Sequence, residues 1–297
     1  MSWDEFVATK PSYSIALDGY VAAGPRYKPR ESSPDGGLRG PWMNANHHEE
    51  VDRLATRATC AQVLMAMRQG LFAPAYIDVN DCDEDVGLSV FLLMNPHLVL
   101  GTMNPMLNRL VHVVDMLDCT AGSYPFPVNL PLLEELAWIM DPYKRIRLSG
   151  ELDRKVASTY RGVIEDVGNR ISRYLVGSGG RIPQDTRYTK IGGGRGWILV
   201  HEDGAQAKAG VFGDGHTTYL AVRDRPDGTY TYVLGKLAYA PLNLARMFHR
   251  LNEAEDLLQS KDQWGGGNTI GGSPRVGGSR LKPMEVAKII DEEIARV

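Results

Sequence analysis

"AYIDVNDCDEDVGLSVFLLMN", Ala75 to Asn95, reads as a strand that runs out of the core, an acidic loop and then a helix. The loop gathers Asp81, Asp83, Glu84 and Asp85 within five positions, and Asp81, Asp83 and Asp85 alternate. "DVGLSVFLLMN" is the helix, and Asn95-Pro96 ends it, because the residue before a proline is pushed out of the α region. The same strand-then-helix pattern continues on either side. "YSIALDGYVA" reads as a strand ending near Asp18, and a polar loop follows from Gly24 to Gly40. "PWMNANHH" reads as a second strand that carries His47 and His48 at its end. From Asp52 to Gln69 apolar residues recur at helical spacing until Gly70 stops them, and "MLNRLVHVVDMLDCTAG" is a further helix. Strands alternating with helices predict an α/β domain with a mainly parallel sheet flanked by helices. In such sheets ligands bind beyond the carboxyl ends of the strands. Asp18, the His47-His48 pair and the acidic run all fall at predicted strand ends.

The expected organisation is an α/β domain over residues 1–145, a charged helical connector over 146–180, and a smaller α+β domain over 181–297. In the last part "GWILVHEDG", "AKAGVFGDG" and "TTYLAVRDRPDGTYTYVLGKL" read as strands, with Pro226-Asp227-Gly228 as a hairpin turn. A helix from about Leu242 to Gln259, a Gly-rich segment and a final helix complete the chain.

At 297 residues, with 43% hydrophobic and 23% charged residues, the composition is that of a globular protein with a sizeable core. A net charge of -3 supplies no global basic field, which argues against a membrane surface and against nucleic acid, short oligonucleotides excepted. Three scattered cysteines, Cys60, Cys82 and Cys119, form neither a disulfide framework nor a zinc motif. With no apolar N-terminal run and no membrane-length apolar stretch, the expected compartment is the cytoplasm. A homodimer is compatible with these features.

Carboxylates gathered in one cleft repel one another and raise their own pKa values, and a divalent cation removes that penalty. Oxygen ligands with a few imidazoles suit Mn²⁺ first, or Mg²⁺ or Fe²⁺. The candidate ligands are Asp18, His47, Asp81, Asp83 and Asp85, together with Asp115 and Asp118, three apart on one helical face. His48, next to a ligand, is free to face a substrate.

Several of these stretches resemble the Asp-His-His (DHH) phosphoesterase superfamily. "NANHHEEVDRLATRATC" resembles its Asp-His-His segment, "DCDEDVGLS" its Asp-x-Asp segment, "ALDGYVAAGPRY" the strand whose terminal Asp bridges two metals, and "VVDMLD" its later aspartate motif. The resemblance covers about the first 120 residues, and the order of motifs is permuted. Asn46 stands where the family has Asp, Val79 stands where it has a His, and its Gly-Gly-Gly-His signature is absent. The resemblance implies that Asp18 bridges two metals, that Asp83 binds one and Asp85 the other with Asp81 as an extra ligand, and that His47 completes the second. It further implies that Asp115 or Asp118 closes the cage, that His48 serves the leaving group as a catalytic donor, and that Asn46 orients a histidine. The implied activity is a metal-dependent hydrolase, a phosphoesterase acting on a phosphorylated or anionic small molecule or nucleotide through a metal-activated water.

"WGGGNTIGGSPRVGGSR" adds an expected anion grip. Gly271 and Gly272 would let backbone amides approach, and Arg275 and Arg280 would bind the anionic part of the substrate. Arg26, Arg53 and Arg57 are further basic residues for the cleft. Two other readings stay open: a metallohydrolase of a non-phosphate bond, and a ligand-binding protein whose cage has decayed.

Overall fold

The chain begins with a short helix, α1 (Trp3–Thr9), whose Ser2 side chain and Glu5 form a capping box, and then enters a buried strand, β1 (Ser14–Leu17). The polar loop that follows holds the edge strand β2 (Arg26–Lys28) and a two-stranded ribbon of β3 (Glu31–Ser32) and β4 (Leu38–Arg39). β5 (Trp42–Ala45), the helix α2 (Thr59–Arg68) and β6 (Tyr76–Asp78) come next. Helices α3 (Glu84–Met94), α4 (Pro96–Leu100), α5 (Pro105–Cys119), α6 (Pro131–Ile139), α7 (Asp141–Leu148) and α8 (Ala157–Leu175) complete this half. This is a computed structural model, and it describes residues 1–52, 55–102 and 104–296.

The first sheet has the order β2-β5-β1-β6. β1 lies between β5 and β6 and is parallel to both, while β2 pairs antiparallel with β5 at the edge. A strand with parallel neighbours on both sides must be apolar on both faces, and Ile15, Ala16 and Leu17 are fully buried. The carboxyl ends of β1, β5 and β6 therefore emerge at one edge. The chain divides into two compact units, Met1–Cys119 with Pro131–Pro183, and Thr120–Leu130 with Gln184–Val297. The residues read as a connector, 146–180, thus lie wholly in the first unit. Their main element, α8, buries Val163, Val167 and Ile171 on one face. It crosses α3 where Gly87 leaves room for Val167.

The second unit is built on a six-stranded sheet, in the order β11-β12-β10-β9-β8-β7. Its elements are β7 (Tyr188–Gly194), β8 (Trp197–Glu202), α9 (Ala207–Gly213), β9 (Thr218–Asp224), β10 (Tyr230–Lys236), α10 (Leu244–Ala254), β11 (Gly265–Gly266), β12 (Ile270–Gly272) and α11 (Pro283–Ile294). "AKAGVFGDG" is the helix α9 where a strand was expected. β8 and β9 are parallel, and parallel neighbours need a crossover between them. The chain is a mixed α/β protein, but a mainly parallel sheet does not describe it as a whole. Most pairings are antiparallel, because short turns join β7 to β8 and β9 to β10. Among the described residues no helix is long and apolar enough to cross a membrane.

Candidate metal centre

The carboxyl edge of the first sheet collects the side chains named above. β1 ends in Asp18, whose φ of +46° turns the chain sharply, with Gly19 at +77° next to it. Asp18 N–H still donates to the Ala45 carbonyl, so the turn stays tied to the end of β5. The chain leaves β5 through Asn46, which is completely buried. Its amide nitrogen donates to the Ala23 carbonyl at 2.8 Å and to Glu49 Oε2 at 2.6 Å, and its Oδ1 accepts from the His48 backbone N–H at 3.0 Å. This bracing fixes the backbone that carries the two histidine rings, whose centroids lie 4.4 Å apart. His47 is buried, whereas His48 is 38% exposed and faces a cleft.

His47 Nε2 faces three carboxylates: Asp118 Oδ2 at 2.7 Å, Asp18 Oδ1 at 3.3 Å and Asp85 Oδ2 at 3.8 Å. His48 Nε2 lies 2.8 Å from the same Asp18 oxygen. Two ligand groups result, Asp18-His47-His48 and His47-Asp85-Asp118, each with its donor atoms within 4.8 Å of one another. Asp85 is held from behind by the first turn of α2, because its oxygens accept from the Thr59 and Cys60 N–H groups at 2.6 Å. A helix N-terminus favours a carboxylate there.

The electrostatics follow from this crowding of carboxylates around His47. Burial opposes the charge on Asp18, but hydrogen bonds from His47 and His48 outweigh it and hold the carboxyl well below the usual range. Burial likewise opposes the His47 imidazolium, yet hydrogen bonds to Asp118 and then Asp18 push its pKa up to about 12. Burial, followed by repulsion from Asp118 and Asp18, pushes Asp85 up to about 7. Three carboxylates around one imidazole favour positive charge at this point, which is why His47 holds its proton so tightly. One imidazole nitrogen with carboxylate oxygens is a donor set that fits Mn²⁺, Mg²⁺ or Fe²⁺.

The other expected ligands are placed differently. Asp83 caps α3 by accepting from the Val86 N–H, and it lines the cleft next to Asp18. Burial, then the Asp18 charge, raises its carboxyl well above the usual range. Asp81 lines the cleft and accepts from the Cys82 N–H. Neither belongs to the two ligand groups. Asp115 turns away from the cage. It pairs with Arg57 at 2.6 Å and accepts from the Ala58 N–H at 2.9 Å, so Asp118 is the partner that reaches His47. Arg57 is thereby engaged, Arg26 pairs with Glu50, and Arg53 lies outside the described residues.

The Gly-rich segment does not offer free amides at Gly271 and Gly272. β12 has strands on both edges, so its backbone groups are spent in the ladder. A Cβ on Gly271 would stand 2.3 Å from Phe248 Cζ, and one on Gly272 would stand 2.4 Å from the Tyr232 carbonyl. Those glycines serve packing. Arg280 donates to the Glu255 carbonyl, while Arg275 is exposed. The cleft at the cage, about 600 Å³, instead carries two cations that sequence reading missed, Arg147 and Lys155. They sit in the stretch read as a connector, where no local pattern marks a site. No family model matches the chain, and no curated protein sequence matches it.

Proposed function

We propose that the protein is a metal-dependent hydrolase acting on a phosphorylated or otherwise anionic small molecule, with a site organised like that of the DHH phosphoesterases. The observation that carries this reading is the single nitrogen, His47 Nε2, facing Asp18, Asp85 and Asp118 at the carboxyl edge of the parallel strands. Asp18, His47, Asp85 and Asp118 would hold the ion. A bound divalent ion would polarise the substrate's anionic group and lower the pKa of a water beside it toward neutrality. The Asn46 amide keeps His47 in the cage and His48 in the cleft. His48, in contact with Asp18 and partly exposed, is placed to hand a proton to a leaving group. Asp85 is anchored on the first turn of α2, which holds it facing His47.

The test is metal content after loading with Mn²⁺, together with phosphate release from generic phosphoesters. Asp118→Asn is expected to lose the metal and the activity. Asp115→Asn is expected to keep the metal and to destabilise the fold by roughly 2–3 kcal/mol, because it weakens charge-assisted bonds to Arg57 and Ala58. Equal metal content in the wild type and Asp118→Asn would overturn the reading.

A further inference from the structure

The cleft has an acidic wall, with Asp18, Asp81 and Asp83, and it also contains Arg147 and Lys155. Cations beside so many carboxylates ordinarily pair with them, yet among the described residues neither makes an ion pair within 4.0 Å. Arg147 projects from the last turn of α7 and is braced by an aromatic ring. Its guanidinium lies over Tyr143, 5.9 Å from the centroid, and Nη1 donates to the Tyr143 hydroxyl at 3.4 Å. Lys155 ends the short 3₁₀ turn Glu151–Arg154 with a φ of +50°. A lysine gains nothing locally from the left-handed region, which glycine fills without strain. Backbone outliers of this kind gather at functional sites. Two exposed cations, one braced and one on a strained backbone, thus enter the cleft that Asp18 and His48 line, and neither forms an ion pair there among the described residues.

We infer that Arg147 and Lys155 form an anion-binding subsite that takes the non-bridging oxygens of a phosphoryl group whose other side faces the Asp18-His47-His48 group. This inference rests on the hydrolase reading and adds to it the residues that select the substrate. Arginine supplies a planar fork that suits two oxygens, and lysine adds a point charge. The same pairing explains why an anion can enter a cleft lined by carboxylates. A cation held by the cage would offset the acidic wall, and the two basic side chains would hold the face of the anion turned away from it.

The probe is inorganic phosphate, titrated calorimetrically into the full-length protein with and without Mn²⁺, with metal content measured in parallel. Arg147→Gln and Lys155→Gly are each expected to weaken phosphate binding ten- to a hundredfold and to leave Mn²⁺ content unchanged. Lys155→Gly also relieves the left-handed backbone, so a merely structural lysine would leave phosphate affinity intact and the fold no less stable. Since Lys155 is exposed, this variant decides the matter if Arg147→Gln does not fold. Phosphate affinity unchanged in Lys155→Gly overturns the subsite. If the wild type takes up no Mn²⁺, the cage reading fails, and the phosphate titration still decides. Binding lost in the variants upholds the subsite, and no binding by the wild type overturns it.

Discussion

Adjacent histidines in this chain meet different surroundings because one buried asparagine holds the backbone that carries them. Asn46 ties its amide to Ala23 and Glu49 and its carbonyl oxygen to the His48 N–H. Its neighbour His47 then meets Asp118 and Asp18, and His48 stays at the mouth of the cleft. A residue's partners set its chemistry here more than its type does. His47→Ala is therefore expected to strip the metal, because the remaining carboxylates would face one another across a gap. His48→Ala is expected to keep metal and fold while lowering kcat by roughly 10²–10⁴-fold, the usual range for a positioned proton donor. Metal content and turnover of the two variants, measured together, check the contrast. Equal metal loss in both would sink the division of roles.

At the scale of elements, the start of a helix and the course of a loop are both set by partners distant in sequence. The apolar spacing predicts a helix from Asp52, yet α2 begins at Thr59, where Asp85 and Asp115 accept its free N–H groups. Neither carboxylate is local to it. The Gly-rich segment shows a similar dependence. Asp262 accepts from Gly277 N–H at 2.7 Å and Val276 N–H at 3.1 Å, and these bonds hold its pKa below the ordinary value of 3.8. A depressed carboxyl contributes stability above its unfolded pKa and loses it as pH falls through the folded one. The loop at Arg275–Gly277 is thus expected to be clamped near neutrality and released in acid. The Val276 and Gly277 amide resonances should titrate with a midpoint below about 3.8 and should shift at neutral pH in Asp262→Asn. A midpoint at or above that value would show that the clamp does not form.

Across the whole molecule, the cage draws on the end of β1, the turn after β5, the start of α3 and the end of α5. Bringing such like charges together opposes folding unless something positive joins them. An ion that binds only the folded state stabilises it by RT ln(1 + [L]/Kd), about 2.7 kcal/mol at a concentration of 100 Kd. Adding Mn²⁺ to chelated protein is therefore expected to raise the unfolding midpoint, and Asp118→Asn is expected to abolish that rise. A midpoint indifferent to Mn²⁺ in the wild type would refute a functional cage.

The sequence by itself determined a strand ending near Asp18, strands within "PWMNANHH" and "AYIDVND", the helix closed at Asn95-Pro96, and the hairpin at Pro226-Asp227-Gly228, and it singled out Asp18, His47, His48 and Asp85, although β5 and β6 end earlier, at Ala45 and Asp78. Each rests on local rules, namely alternation, helical period, proline sterics and turn chemistry, that act over a few residues. Only the tertiary structure decided that Asp118 and not Asp115 reaches His47, because Arg57 and the start of α2 claim Asp115 from more than fifty residues away. It also decided that "AKAGVFG" is a helix, since the parallel pairing of β8 with β9 requires a crossover. It likewise placed Arg147 and Lys155 in the acidic cleft. Those outcomes depend on which surfaces meet, and no window of neighbouring residues contains both partners of a long-range contact.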